Sequence, residues 1–237
     1  MSSMANGTLS ICIPTFNRAE MTINAFIDVY FDSRVEAVVI VDDASTDDSF
    51  EKLQKMAEVL PKVVLHRQAQ NRDCYFNKYS AVAYSPTRFC ILLDSDNKID
   101  KSYLDKIFEH EWGDDVILTP DFAKPHFDFR AYSGLSFTKE NIAEYIDKPM
   151  FEVMCNAANY FVCKQTYCEV FDKETDPVTS DSIYQIYNWL KAGYKIKCVE
   201  GLQYDHAVHS GSHYQNNVHR TAQGFHESIL QKLRELK

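Results

Sequence analysis

Apolar residues fall along this chain in two alternating rhythms. Mostly apolar runs at residues 9–14 (LSICIP), 35–43 (VEAVVIVDD), 62–67 (KVVLHR) and 88–94 (RFCILLD) have the length and composition of buried strands. Between them, residues 20–31, 47–60 and 76–84 have the length of helices. Strand and helix in turn predict parallel strands joined by right-handed crossovers, which makes an α/β fold with an open, Rossmann-like sheet flanked by helices. The second helix has a start signal in DDASTDDSFEKL, with Ser45 or Thr46 as N-cap and acids in its first turn.

The second half is less regular. Residues 115–120 (DVILTP), 159–164 (NYFVCK) and 195–200 (KIKCVE) are further strand candidates, and SDSIYQIYNWLKAGY reads as a helix ending near Gly193. No repeat, low-complexity tract or linker divides the chain, so residues 1–216 are expected to form one domain. In residues 217–237, Val218, Ala222, Phe225, Ile229, Leu233 and Leu236 recur at steps of three and four, the stripe of an amphipathic helix. That helix is expected to pack on its own domain or on a second copy in a homodimer, with peripheral contact to a membrane surface as the lesser alternative.

Charge narrows the partners. A net charge of −9 disfavours nonspecific nucleic-acid binding, which needs a basic surface to displace counterions. Seven cysteines without a CxxC pair, Cys12 and Cys90 among them inside apolar strand-like runs of the first half, read as free buried thiols in a reducing compartment. The opening MSSMANGTLSICIP lacks a basic leader followed by a long apolar run, and no stretch reaches the roughly 20 apolar residues that span a bilayer. A cytoplasmic protein is the expectation.

The chemistry concentrates in FCILLDSDNKI, where an apolar run ends in Asp94, Ser95 and Asp96. Carboxylates beside a core need compensation, because desolvating one unpaired costs several kcal/mol. In parallel α/β sheets ligands collect outside the carboxyl ends of the strands. Here those ends carry Pro14, Thr15, Asn17 and Arg18, then Asp42 and Asp43, then Asp94 and Asp96. Two residues apart on extended chain, Asp94 and Asp96 point the same way and could share Mn²⁺ or Mg²⁺, ions that also take phosphate oxygens.

These stretches carry a resemblance. LSICIPTFNR, VVIVDDASTDDS, QNRD, ILLDSDN, TSDSIYQIYNWLKAGYKI and YDHAVHSGS follow the order and spacing of the family 2 glycosyltransferases of the GT-A fold, over residues 9–212. The resemblance implies an inverting transferase that moves a sugar from a nucleotide-diphosphate donor, most often UDP-linked, to a hydroxyl of a glycan or lipid-linked acceptor. It places nucleotide contacts on Pro14, Thr15, Asn17, Arg18, Asp43 and Asn71. It puts the metal on Asp96 and Asp94 with His206 completing the site and His209 as rival, and the general base at Asp181. Asn156 or Asn159 is placed near the acceptor.

The chain departs from the family pattern after Asn71, where Lys78 stands for an arginine and Tyr79 for an asparagine. Lys78 is expected to neutralise the diphosphate as a point charge, without the planar fork of an arginine. The acidic pair usual at the base position is Ser180 and Asp181, with Ser180 or Thr179 expected to cap the helix. Dehalogenase-type phosphatases also carry a DxD, but theirs ends the first strand. Sugar nucleotidyltransferases need a glycine-rich loop that IPTFNRAEM lacks. An inactive nucleotide-sugar-binding module is the remaining alternative.

Overall fold

Each crossover of the first half lays its strand beside an earlier one in the same direction, and the resulting sheet sets where every later group can stand. The structure, a computed structural model, describes residues 7–209, 217–220 and 224–237. The chain runs β1 (Leu9–Thr15), α1 (Ala19–Phe26), β2 (Val35–Asp42), α2 (Ser49–Val59), β3 (Val63–Arg67), α3 (Asp73–Ala83), β4 (Phe89–Leu92) and α4 (Lys101–Phe108). It continues through β5 (Val116–Lys124), β6 (Phe127–Asp128), β7 (Ser136–Phe137), α5 (Phe151–Asn156), β8 (Tyr160–Cys163), α6 (Lys164–Glu169), α7 (Asp181–Lys191), β9 (Lys195–Asp205) and α8 (Phe225–Arg234).

The sheet order is β3-β2-β1-β4-β8-β5-β9-β7, with β6 paired to β5. β1 to β4, β5 and β9 share one direction, whereas β8 runs against both neighbours, with Tyr160 opposite Leu92. The strand at 159–164 is therefore where the sequence put it, and it runs antiparallel to its neighbours β4 and β5. A strand buried on both faces has the same apolar pattern in either direction. The reversal brings the residues just before β8 to the carboxyl edge, next to Asp94.

Several boundaries move for identifiable reasons. β5 passes Pro120, where the sequence reading stopped it, because an irregularity in its pairing with β9 falls between Pro120 and Phe122 and accommodates the residue without an N–H. Ser45 and Thr46 do not cap α2; the residue before that helix is Asp48, and the N–H of Ser49 donates to Asp47 Oδ1 at 2.9 Å. The C-terminal helix begins at Phe225 rather than 217, since Gly224 sits at φ +77 and residues 218–220 form a separate turn. Ala222 lies outside the described residues.

Ile229, Leu230 and Leu233 of α8 are buried against α7 and the turn Ile142–Glu144 of the same chain, and Arg234 pairs with Asp147 at 2.8 Å. Its apolar stripe is thus covered from within. All seven cysteines are free thiols, five of them buried. No described helix is long and apolar enough to cross a membrane.

Candidate functional site

The first two strand ends are tied together before any ligand arrives. After β1, Asn17 adopts a left-handed backbone at φ +54, its N–H donates to Ser45 Oγ at 2.8 Å, and its Oδ1 accepts from the N–H of Thr46 at 2.8 Å. Asp42 is fully buried and accepts from the N–H and hydroxyl of Ser45, so it fastens the loop rather than facing outward. The neighbouring Asp43 accepts from the N–H of Arg72 at 2.9 Å and borders the cleft. Burial pushes its pKa up to about 6, with the N–H of Arg72 opposing. Asn71 accepts from the N–H of Asp73 at 3.0 Å, shaping the turn into α3.

The centre is built around one buried cation. Lys78, 5 % exposed on α3, places its Nζ 2.7 Å from Asp181, 3.2 Å from Asp94 and 3.0 Å from Ser182 Oγ. Burial works against the ammonium, but Asp181 and Asp94 together hold its pKa well above the ordinary lysine value. Burial raises the pKa of Asp94, and Lys78 opposes that rise. The ammonium that the sequence reading aimed at a diphosphate is instead shared by two carboxylates. Asp96 is likewise occupied: its Oδ2 meets Arg18 Nη1 at 2.7 Å and His209 Nε2 at 3.0 Å. Protein cations, Lys78 on Asp94 and Arg18 on Asp96, compensate the DxD.

The histidines differ from expectation. His206 does not reach Asp96; its Nδ1 lies 3.1 Å from Nδ1 of His126, and burial followed by the nearby His126 lowers its pKa. His209 is the imidazole at the carboxylate. Among the described residues no group of three His, Cys, Asp or Glu side chains stands close enough to hold a metal ion by itself.

Asp181 is the first residue of α7 and is buried. Neither Ser180 nor Thr179 caps that helix through its side chain. Asn156 does so instead: its Oδ1 accepts from the N–H of Ile183 and its Nδ2 donates to the Thr179 carbonyl, both at 3.2 Å. Asn159 accepts from the N–H of Asp94 at 2.9 Å. Both asparagines that the sequence placed near an acceptor thus brace the loops around Asp94 and Asp181.

All the residues singled out as site candidates except Asn17, Asp42 and His209 border a single cleft of about 510 Å³. The sequence reading missed four groups at this cleft or its rim. Asn77 donates to the Val41 carbonyl at 2.9 Å, His126 faces His206, and Glu152 and His226 form a pair on the far wall. Asn77 stands beside Lys78 in a motif already noticed, but no spacing signal marks the other three.

The profile of glycosyl transferase family 2 matches residues 10–167, two thirds of the chain. The chain belongs to that family. No curated protein matches the sequence significantly. In shape, this family 2 domain is similar to the mannosyltransferase PcManGT of Pyrobaculum calidifontis, in complex with GDP-Man and Mn²⁺, at TM-score 0.64 and 13 % identity, covering 98 % of this chain and 70 % of that one. It is also similar to residues 1–349 of S. aureus TarS in complex with UDP-GlcNAc, at TM-score 0.66 and 16 % identity, covering 88 % and 60 %. The chain thus spans 60–70 % of these neighbours. At such identities the likeness establishes the fold, which is GT-A.

Lys78 is where this family 2 site differs most from its expected arrangement, and its removal has a signed consequence. Lys78→Met should destabilise the protein at pH 7 by about 3–5 kcal/mol, because Asp181 is left buried and Asp94 half-buried without their shared cation. Unpaired buried carboxylates take up protons more readily, so the deficit should shrink as pH falls toward 5. Urea unfolding of both proteins at pH 5 and 7 checks this.

Proposed function

We propose that the cleft transfers a sugar, with inversion, from a nucleotide-diphosphate donor, UDP-linked by preference, to a hydroxyl of a glycan or lipid-linked acceptor. The observation that carries the reading is the convergence, in one cleft, of Asp43 and the first loop, the two carboxylates after β4, and the buried Asp181. Neighbours of the same fold that hold GDP-Man and UDP-GlcNAc support it. The first loop, Asp43 and Asn71 would receive the nucleoside, and Asp94 and Asp96 lie where the diphosphate would follow. Free thiols and the lack of a membrane-crossing helix among the described residues fit a cytoplasmic enzyme.

The donor set suits a hard divalent cation shared with substrate. Two carboxylates and the His209 imidazole are too few to enclose an ion, and Mg²⁺ or Mn²⁺ is commonly held by one or two carboxylates plus phosphate oxygens. Asp96, Asp94 and His209 would hold it, with His206 the more distant alternative. When bound, such an ion stabilises negative charge on the departing diphosphate. Arg18, whose Nη1 sits on Asp96 and whose Nε donates to the Phe16 carbonyl, would offer its guanidinium to phosphate oxygens as well.

Asp181 acts as the base. In a single displacement the acceptor hydroxyl attacks opposite the leaving diphosphate, and a positioned carboxylate takes its proton, worth about 10²–10⁴-fold in rate. Lys78 compensates that carboxylate and Asp94 together, which fixes the spacing between the donor and acceptor sides. Asp181→Asn keeps the shape and removes the basicity. It should retain protection against thermal unfolding by UDP with Mn²⁺ while transfer falls at least about 10²-fold. A near wild-type transfer rate would move the base elsewhere.

Asp43 gives a pH signature. Its raised pKa means that ionisation costs the ligand-free protein stability; that cost is absent below the ordinary carboxylate range and full above about pH 6. A nucleoside that donates N–H or O–H groups to the carboxylate favours the ionised form. UDP affinity should therefore weaken about tenfold from pH 7 to pH 5, and Asp43→Asn should flatten that slope. Calorimetric titration across that range tests it.

A further inference from the structure

Along the carboxyl edge of the sheet the order is Asp43 after β2, Thr15 on β1, Asp94 after β4 and Asn159 before β8. At about 4.8 Å per strand, the edge leads steadily away from the nucleoside end. α5 runs directly into Asn159 and packs against α7, so its cleft-facing residues stand on the Asp181 side.

That wall carries a three-residue relay. Glu152 Oε1 lies 2.7 Å from His226 Nε2, and His226 Nδ1 lies 2.7 Å from Ser180 Oγ, the residue before Asp181. A neutral imidazole serves both contacts when the Ser180 hydroxyl donates to Nδ1 and Nε2–H donates to Glu152. Ser180 is buried and does not border the cleft, so it is an anchor and not a nucleophile. The relay orients Glu152, which borders the cleft with its side chain 45 % exposed. Its Oε2 makes no hydrogen bond among the described residues.

Charge selects what Glu152 can hold. Six carboxylates border the cleft against two cations, Arg18 and Lys78, and both cations already sit on carboxylates. No described lysine or arginine borders it from α5, α7 or α8. A phosphate- or carboxylate-bearing group would meet like charge on this wall, while neutral hydroxyls could donate to Oε2. Val153 and Ala157, one helical turn apart, offer apolar surface for the C–H face of a sugar ring.

We propose that Glu152, held in place by His226 and Ser180, binds the acceptor, and that the acceptor group entering this wall is an uncharged saccharide. This rests on the reading of the cleft as a sugar-transfer site. The C-terminal helix then has a task beyond packing, since α8 supplies His226.

The test uses the full chain saturated with UDP and Mn²⁺. Neutral methyl glycosides and the matching sugar phosphates are titrated and followed by NMR. At least one neutral glycoside should bind, more tightly than its phosphate, and Glu152→Gln should weaken it about tenfold or more with UDP affinity unchanged. His226→Gln should weaken it less. Failure of the wild type to bind UDP would remove the underlying reading. With UDP binding intact, three outcomes overturn the subsite alone: no neutral glycoside bound, phosphates preferred, or Glu152→Gln without effect on the glycoside. Loss of UDP affinity in Glu152→Gln would mark the residue as a structural support and overturn it as well.

Discussion

One buried ammonium holds the two sides of the cleft at a fixed separation. Lys78 comes from α3, Asp94 follows β4 and Asp181 opens α7, and the three meet within 3.2 Å of a single Nζ. Lys78 and Asp181 have left water for a low-dielectric interior and Asp94 is half-buried beside them, so each charge needs the others. An arginine at this position would direct a planar fork at one carboxylate. A lysine is a compact charge that two carboxylates on different elements can share. The substitution that looked in sequence like a weakened diphosphate ligand is, in the folded chain, a link between elements.

The other constraint is the reversed strand. Because β8 enters the sheet at the edge where its neighbours leave it, the loop before it lands beside the metal-type carboxylates. Asn159 fastens that loop to the backbone of Asp94, and Asn156 fastens it to the first turn of α7. Two asparagines thus do by hydrogen bonding what Lys78 does by charge, and both position the wall of α5 and α8 that we propose for the acceptor.

The residues that were legible in the sequence are those whose place at the cleft follows from local pattern. β1, β2 and β4 are apolar runs that end in polar groups, and a parallel sheet obliges those ends to share an edge. Asp43, Asp94 and Asp96 follow from that reasoning alone. Asp181 was reachable through family spacing. What could not be read depends on partners far along the chain. Direction in a doubly buried strand leaves no mark, so β8 was placed but not oriented. Ser45 looked like a helix cap, but its hydroxyl goes to Asp42 three residues back and takes the N–H of Asn17, 28 residues away, which no local pattern shows. Family spacing favours His206 over His209, but β9 runs five residues past the expected strand, to Asp205, and carries His206 across to His126. Glu152 and His226 are 74 positions apart and belong to no motif, so only the fold introduces them.

Arg18 and Lys78 occupy the carboxylates that a cation would use, which makes the dependence of nucleotide binding on metal the most direct measurement. Calorimetric titration of UDP into the full chain, with Mn²⁺ and then with EDTA, reads it. If Asp94 and Asp96 grip the diphosphate through a shared cation, UDP should bind at least about tenfold more tightly with Mn²⁺, because diphosphate and carboxylates otherwise repel. Equal affinity in EDTA would contradict the account, leaving Arg18 and Lys78 as the groups that meet the phosphates directly.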